Sequence, residues 1–216
     1  MIYATMCVGK KWVDTWKLAI NNFSKDHNLH ILTDGIHEFK NATCYEYKRD
    51  VFSYYEKINF ILELSKKYRE RITFIDTDGL DDFNTDFIFD DTTFYTAHVW
   101  NLTDKDDDST IFFSDHDFIL QDTLLSEVSS KGSIEFYILE KIMSFPTMNN
   151  IDDIIKDNKI LQSIIEKTYN QNTVTRDKLK RYKSGIGYCE GWGISTLCTK
   201  YKIPVKPYNW RKEIMI

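Results

Sequence analysis

Two aspartates one residue apart follow a short apolar segment in the first half of the sequence. The segment is Ile72-Thr73-Phe74-Ile75, and Asp76-Thr77-Asp78-Gly79 comes directly after it. In an extended backbone, residues i and i+2 project from the same side, so the two carboxylates are expected to converge at the end of a strand. Carboxylate oxygens suit hard divalent cations, and a bound cation can in turn hold a diphosphate. The pattern therefore indicates a metal site with Asp76 and Asp78 as ligands.

Three other interpretations of this motif exist. The sequence has 33 acidic residues, so the pair could be a solvated surface turn. An EF-hand loop starting at Asp76 is excluded, because its sixth and twelfth positions, which need Gly and Glu, are Asp81 and Phe87. The motif also resembles the first motif of haloacid-dehalogenase-type phosphatases, with Asp76 as nucleophile, although Leu80 stands where that family has Thr. The turn and the phosphatase remain open alternatives to the metal site.

Composition limits the class of protein and of partner. At 216 residues, one domain is expected. The net charge of -5 argues against a nucleic-acid partner, and the 15% aromatic content can supply stacking walls for bases and sugar faces. No run reaches the roughly 18 apolar residues of a membrane span, so no membrane insertion is expected. The four cysteines lack Cys-x-x-Cys spacing, which predicts free thiols in a reducing, cytoplasmic compartment.

Strand and helix patterns alternate through the first half of the chain. Residues 2–8, 30–33 and 72–76 have strand character, and residues 10–23 and 54–68 carry apolar residues at helical spacing. This order predicts an α/β fold with a central, mostly parallel mixed sheet flanked by helices. In such a doubly wound sheet, ligands bind outside the carboxyl ends of the strands.

The second half is less regular, and its patterns predict both strands and helices. Strands are predicted at residues 87–89, 93–99, 111–113 and 203–206. Helices are predicted at residues 133–145, 151–169 and 194–202.

Four of the eight glycines fall within nine residues near the C-terminus. They are Gly185, Gly187, Gly191 and Gly193. Glycine lets a backbone approach a ligand closely, and Trp192 lies among them as a possible wall. The cluster indicates a binding edge, with an ordinary flexible turn as the alternative.

Together these features resemble the nucleotide-sugar glycosyltransferases of the GT-A fold. The resemblance covers most of the chain in the order of its elements, and Asp76-Thr77-Asp78 is its most specific motif. The sequence is also similar to the N-terminal glycosyltransferase domain of a large chlorella-virus protein, which would imply a viral enzyme in the host cytoplasm.

The resemblance implies a single domain in which residues 1–80 bind the nucleotide and residues 81–216 form the acceptor side. It implies transfer of a sugar from a UDP-sugar donor to a hydroxyl of a glycan or glycoprotein acceptor, with Mn²⁺ or Mg²⁺ as cofactor. Asp78 would bind the metal directly, and Asp76 would contact the metal or the ribose. The remaining residues implied at the donor site are Thr5, Met6, Cys7, Lys57, Thr77 and Trp192.

The resemblance also implies a catalytic base for an inverting transfer. Glu190 precedes the predicted helix at residues 194–202, where such enzymes commonly carry a carboxylate, although the family's usual Glu-Asp pair is Glu-Gly here. Asp115 and Asp117 are rival bases, and His116 and His98 are candidates to complete the metal shell. A non-catalytic nucleotide- or carbohydrate-binding module that keeps the same fold is a further alternative.

Overall fold

A computed structural model describes residues 1–36, 38–50, 52–97, 99–101, 136–138, 142–171 and 189–208. Within these ranges, seven strands form one mixed sheet, and two more form an antiparallel pair, β6 with β7. The strands are β1 (Ile2–Cys7), β2 (Leu29–Thr33), β3 (Thr43–Glu46), β4 (Ile72–Ile75), β5 (Phe94–Thr96), β6 (Val99–Asn101), β7 (Phe136–Ile138), β8 (Ile142–Phe145) and β9 (Val205–Pro207). The helices in the described ranges are α1 (Lys10–Asp26), α2 (Glu56–Tyr68), α3 (Ile151–Gln171) and α4 (Cys189–Lys200).

The large sheet has the strand order β3-β2-β1-β4-β8-β5-β9. Strands β1 to β4 pair in parallel, β8 is antiparallel to both of its neighbours, and β9 is parallel to β5. The sheet is therefore mostly parallel. The predicted α/β class with a mixed central sheet is confirmed.

Two apolar clusters sandwich this sheet. Alternate residues of β1 belong to opposite clusters. Ile2, Ala4 and Met6 pack with α2, α3 and α4, whereas Tyr3 and Cys7 pack on the side of α1. All six residues of β1 are buried, as expected for a parallel strand covered on both faces. Helix α1 is thus on one face and the other three helices are on the opposite face.

The connections around β1 create a crevice. After β1 the chain passes through α1 to β2 and β3 on one side, and it returns through α2 to β4 on the other side of β1. From the carboxyl end of β1 the chain runs to β2, whereas from the carboxyl end of β4 it runs to β5, on the opposite side of the sheet. Open α/β sheets bind their ligands at such a switch point.

The helix predicted at residues 133–145 is wrong. Residues 136–138 and 142–145, predicted as part of a helix, are strands β7 and β8. Ile142, Met143 and Phe145 are all completely buried, because β8 lies between β4 and β5, and a short apolar run of this kind does not distinguish a helix from a central strand.

The predicted strand at residues 87–89 is also absent. This segment is irregular, and the rings of Phe87 and Phe89 pack edge to face on Tyr95. Strand β3, by contrast, was not predicted: it is a short edge strand with exposed ends, so it lacks a buried pattern. The predicted strand at residues 111–113 lies outside the described residues.

Candidate functional site

A cleft of about 480 Å³ lies where the carboxyl ends of β1 and β4 meet. This volume is in the range of small-molecule binding sites. We call it the β1–β4 cleft. Its lining residues are Met6, Cys7, Val8, Gly9, Trp12, Trp16, Phe52, Tyr54, Lys57, Asp76, Thr77 and Asp78.

Asp76 and Asp78 both line the cleft, but not through the extended backbone that the sequence predicted. Strand β4 ends at Ile75, and residues Thr77–Gly79 form a turn of 3-10 helix. The Gly79 amide closes this turn by donating to the Asp76 carbonyl at 2.8 Å. The alternation of side chains along an extended strand therefore does not continue past Asp76. The turn brings Asp78 to the cleft.

Asp76 forms an ion pair with a buried lysine. The Lys57 ammonium lies 2.8 Å from Asp76 Oδ1, and Lys57 is only 4% exposed. The same ammonium lies 4.9 Å from the centre of the Tyr54 ring and 5.6 Å from that of Phe74. A buried charge is stable only with compensating partners, so Asp76 and these rings hold the ammonium at the cleft.

The metal-binding capacity of the cleft rests on its two aspartates. Within the described ranges, no cluster of three or more His, Cys, Asp or Glu side chains is assembled. Two carboxylates suit Mg²⁺ or Mn²⁺, because such ions are often held by one or two carboxylates and complete their shell with water and ligand phosphates. The donor set at Asp76 and Asp78 thus fits the predicted cation, provided that a phosphate ligand accompanies it. His98 and His116 lie outside the described residues.

Aromatic side chains also line the cleft. Trp12 and Trp16 come from α1, and Phe52 and Tyr54 come from the segment before α2. Trp12 is 53% exposed and Phe52 is 39% exposed, which is unusual for rings of this size. Exposed aromatic faces beside a polar wall are suited to stacking on a base or a sugar.

The N-terminal candidates lie at different depths. Met6 and Cys7 line the cleft, whereas Thr5 is completely buried and does not, because it is further from the end of β1. Burial and the nearby Asp34 carboxylate raise the pKa of the Cys7 thiol to about 12. Cys7 therefore remains a neutral thiol at physiological pH and is not a nucleophile.

Gly9 joins the cleft to helix α1. Its φ of 94° lies in the region that favours glycine, and its amide donates to both carboxylate oxygens of Asp34, at 2.9 and 3.0 Å. Asp34 places a negative charge at the N-terminal end of α1, where the helix dipole favours it. Sequence reasoning treated Asp34 only as part of a turn, since nothing in the local sequence pairs it with Gly9.

The backbone of α4 revises the expected setting of Glu190. The helix begins at Cys189, so Glu190 and Trp192 lie in its first turn and not in a loop before a helix at residues 194–202. Gly191 and Gly193 are likewise helical. The rival base Asp115, together with Asp117, lies outside the described residues.

Comparisons with known proteins do not assign the chain to a family. No protein-family model matches the chain, and no curated protein matches it. Among solved structures, the chain is similar to the galactosyltransferase LgtC in complex with donor and acceptor sugar analogs, at 9% identity and a TM-score of 0.40. The match covers 97% of this chain and 73% of that one. So slight a likeness does not bear on function, and the viral relationship remains a prediction. In the described part of the chain, no helix is long and apolar enough to cross a membrane.

Proposed function

We propose that this protein is a metal-dependent glycosyltransferase that moves a sugar from a UDP-sugar to a hydroxyl of a glycan or glycoprotein. The observation that carries the proposal is that charged and aromatic side chains line one cleft, the β1–β4 cleft. The charged groups are Asp76, Asp78 and the Lys57 ammonium, and the rings are those of Trp12, Trp16, Phe52 and Tyr54. A nucleoside diphosphate has the same two parts, a charged diphosphate and a flat base.

The charged groups of the cleft are suited to a diphosphate leaving group. In this proposal Asp78 is the direct ligand of Mn²⁺ or Mg²⁺ and Asp76 contacts the metal or the ribose, as the family resemblance implies. A divalent cation held there would stabilise the negative charge of the departing diphosphate. Lys57 orients Asp76 through their ion pair, and its positive charge lowers the cost of bringing an anion into the cleft.

The aromatic rings of the cleft are suited to the nucleoside. Stacking on aromatic rings contributes about 1–3 kcal/mol per base, and every base offers a face for it. Stacking alone does not select one base, so the preference for uridine depends on the polar edges near Met6 and Cys7. This assignment of uridine follows the family resemblance of the N-terminal strand.

The acceptor side is assigned to α4. Glu190 lies in the first turn of this helix, where the backbone dipole favours an ionised carboxylate. In the proposed inverting reaction, Glu190 takes the proton of the acceptor hydroxyl as that hydroxyl attacks the sugar. Asp115 is the alternative base.

One turnover experiment separates this function from the two alternatives. Purified protein is incubated with UDP-sugars, Mn²⁺ and a mixture of glycan acceptors, and UDP, inorganic phosphate and glycosylated product are each measured. A glycosyltransferase forms product and UDP in equal amounts, and Asp78→Asn abolishes both. Release of phosphate from p-nitrophenyl phosphate in a parallel incubation, with no glycosylated product from the UDP-sugars, would identify a phosphatase acting through Asp76. Nucleotide binding without turnover would identify a binding module.

A further inference from the structure

Helix α4 approaches the start of α2 so closely that position 193 has room only for glycine. A Cβ on Gly193 would lie 2.7 Å from Tyr55 Oη, 2.8 Å from Cε2 and 3.0 Å from Cζ. Favourable contacts between such atoms need about 3.5 Å. Any larger side chain at this position must therefore displace the Tyr55 ring.

The Tyr55 ring is held from several sides. It is completely buried, and its hydroxyl donates to Asn158 Oδ1 of α3 at 3.0 Å. The Asn158 amide in turn donates to Asn59 Oδ1 of α2 at 2.7 Å. Tyr55 is thus fixed between α2, α3 and α4, and a displacement of its ring passes to its own backbone.

The Tyr55 backbone is directly connected to the β1–β4 cleft. Its carbonyl accepts from the Ile58 amide at 3.0 Å, at the start of α2. Tyr54 directly precedes Tyr55 and Lys57 follows two residues later, and both line the cleft. The Lys57 amide donates to the Tyr54 carbonyl at 3.0 Å. A shift of Tyr55 therefore moves the ring and the ammonium that face the proposed nucleotide.

We infer that Tyr55 is a positioning residue for nucleotide binding and that Gly193 is the position on α4 that permits its placement. The inference rests on the proposed function of the cleft. Tyr55 acts through Tyr54 and Lys57 and contacts no ligand itself. Because α4 also carries Glu190 one turn before Gly193, this contact links the helix of the candidate base to the donor site.

The test is UDP binding by Gly193→Ala in the presence of Mn²⁺. Alanine is a better helix former than glycine, so the substitution does not weaken α4 intrinsically. We expect the Kd for UDP to rise roughly tenfold. Ile203→Ala is the matched control, because Ile203 is a buried core residue beyond the end of α4. It should lower the Tm and leave the Kd unchanged.

A rescue variant tests whether the effect passes through Tyr55. Tyr55→Leu removes Oη, Cε2 and Cζ, the three atoms that a Cβ at position 193 would meet. Tyr55→Leu alone should weaken UDP binding, and adding Gly193→Ala to it should change the Kd by less than about twofold. If Gly193→Ala does not fold, Asn158→Leu, which releases the ring hydroxyl without adding bulk at position 193, should weaken binding in the same direction.

The outcomes distinguish the inference from the function on which it rests. If the wild-type protein binds no nucleoside diphosphate, both are overturned. If the wild type binds UDP and the folded Gly193→Ala or Asn158→Leu variant binds it equally well, the inference alone is overturned. The same holds if Gly193→Ala and Ile203→Ala weaken binding in proportion to their loss of Tm, because the contact would then be structural only.

Discussion

The buried ammonium of Lys57 lies 2.8 Å from the carboxylate of Asp76 at the end of β4. Lys57 is 4% exposed, whereas the Asp76 side chain is 31% exposed. The two partners therefore depend on each other unequally. Removal of the carboxylate takes away an ionised group that lies 2.8 Å from a buried charge, but removal of the lysine leaves a carboxylate that water can reach.

The buried ammonium beside Asp76 predicts different losses of stability for variants of the two aspartates of the cleft. Asp76→Asn should lower the free energy of unfolding by about 2 kcal/mol, because a buried ammonium loses the ionised group that lies 2.8 Å from it. Asp78→Asn, at an exposed position, should change it by less than about 0.5 kcal/mol. Urea unfolding of the two variants measures both values. Equal losses would mean that the ion pair does not stabilise the fold.

Asp78→Asn should instead affect ligand binding. In the wild type, UDP and Mn²⁺ together should raise the Tm more than the sum of their separate effects, because the cation and the diphosphate share the site. Asp78→Asn should remove this synergy. Asp82→Asn is the matched control, since Asp82 is an exposed aspartate that does not line the β1–β4 cleft. A synergy that survives in Asp78→Asn would exclude Asp78 as the metal ligand.

Trp12 should contribute to nucleotide affinity through its exposed ring. Trp12→Ala removes a stacking face and should raise the Kd for UDP roughly tenfold, which corresponds to about 1.4 kcal/mol. Leu18→Ala is the control, because Leu18 is a 73% exposed apolar residue of the same helix outside the cleft. Isothermal titration calorimetry measures both. Similar affinities for the two variants would place the base elsewhere.

The candidate base predicts a loss of rate without a loss of affinity. Glu190→Gln keeps the size of the side chain and should leave UDP and Mn²⁺ binding unchanged, while sugar transfer falls by roughly 10² or more. If transfer persists in Glu190→Gln and is lost in Asp115→Asn, Asp115 is the base. A product with retained anomeric configuration, determined by NMR, would contradict the inverting mechanism itself.

His30 makes stability depend on pH. Burial, and secondarily the charge of Lys67, lower the pKa of this side chain in the folded protein. As pH falls below about 6.5, the unfolded chain takes up a proton that folded His30 resists, so stability should fall in this window. His30→Asn, which does not titrate, should show a smaller loss between pH 7 and pH 5 in urea unfolding. An identical pH dependence in both proteins would contradict this role of His30.

The sequence predicts the first half of the fold well, for a physical reason. Strands β1 and β4 are fully buried, and their apolar runs are separated by helices with clear periodicity. Asp76 could be placed at the carboxyl end of β4 for the same reason, whereas Asp78 reaches the cleft through a 3-10 turn that the sequence did not predict. Lys57 was assigned to the nucleotide, but its pairing with Asp76 joins residues 19 positions apart and depends on the packing of α2.

Other features depend on contacts that the local sequence does not show. Strand β8 was predicted as helix because only its neighbours β4 and β5 make it a central strand. The glycines before Ile194 suggested a loop, yet Gly193 is helical, and the ring of Tyr55 explains why no larger side chain fits there. In the sequence alone, a glycine can indicate either a turn or a close contact with another element.

We propose that the β1–β4 cleft binds a nucleoside diphosphate through a divalent cation. Calorimetric titration of UDP into the protein, first with Mn²⁺ and then after chelation, tests it most directly. We predict saturable binding with Mn²⁺ and a Kd that rises about tenfold or more when the metal is removed. Equal affinity with and without metal, or no binding of UDP in either condition, would contradict the account.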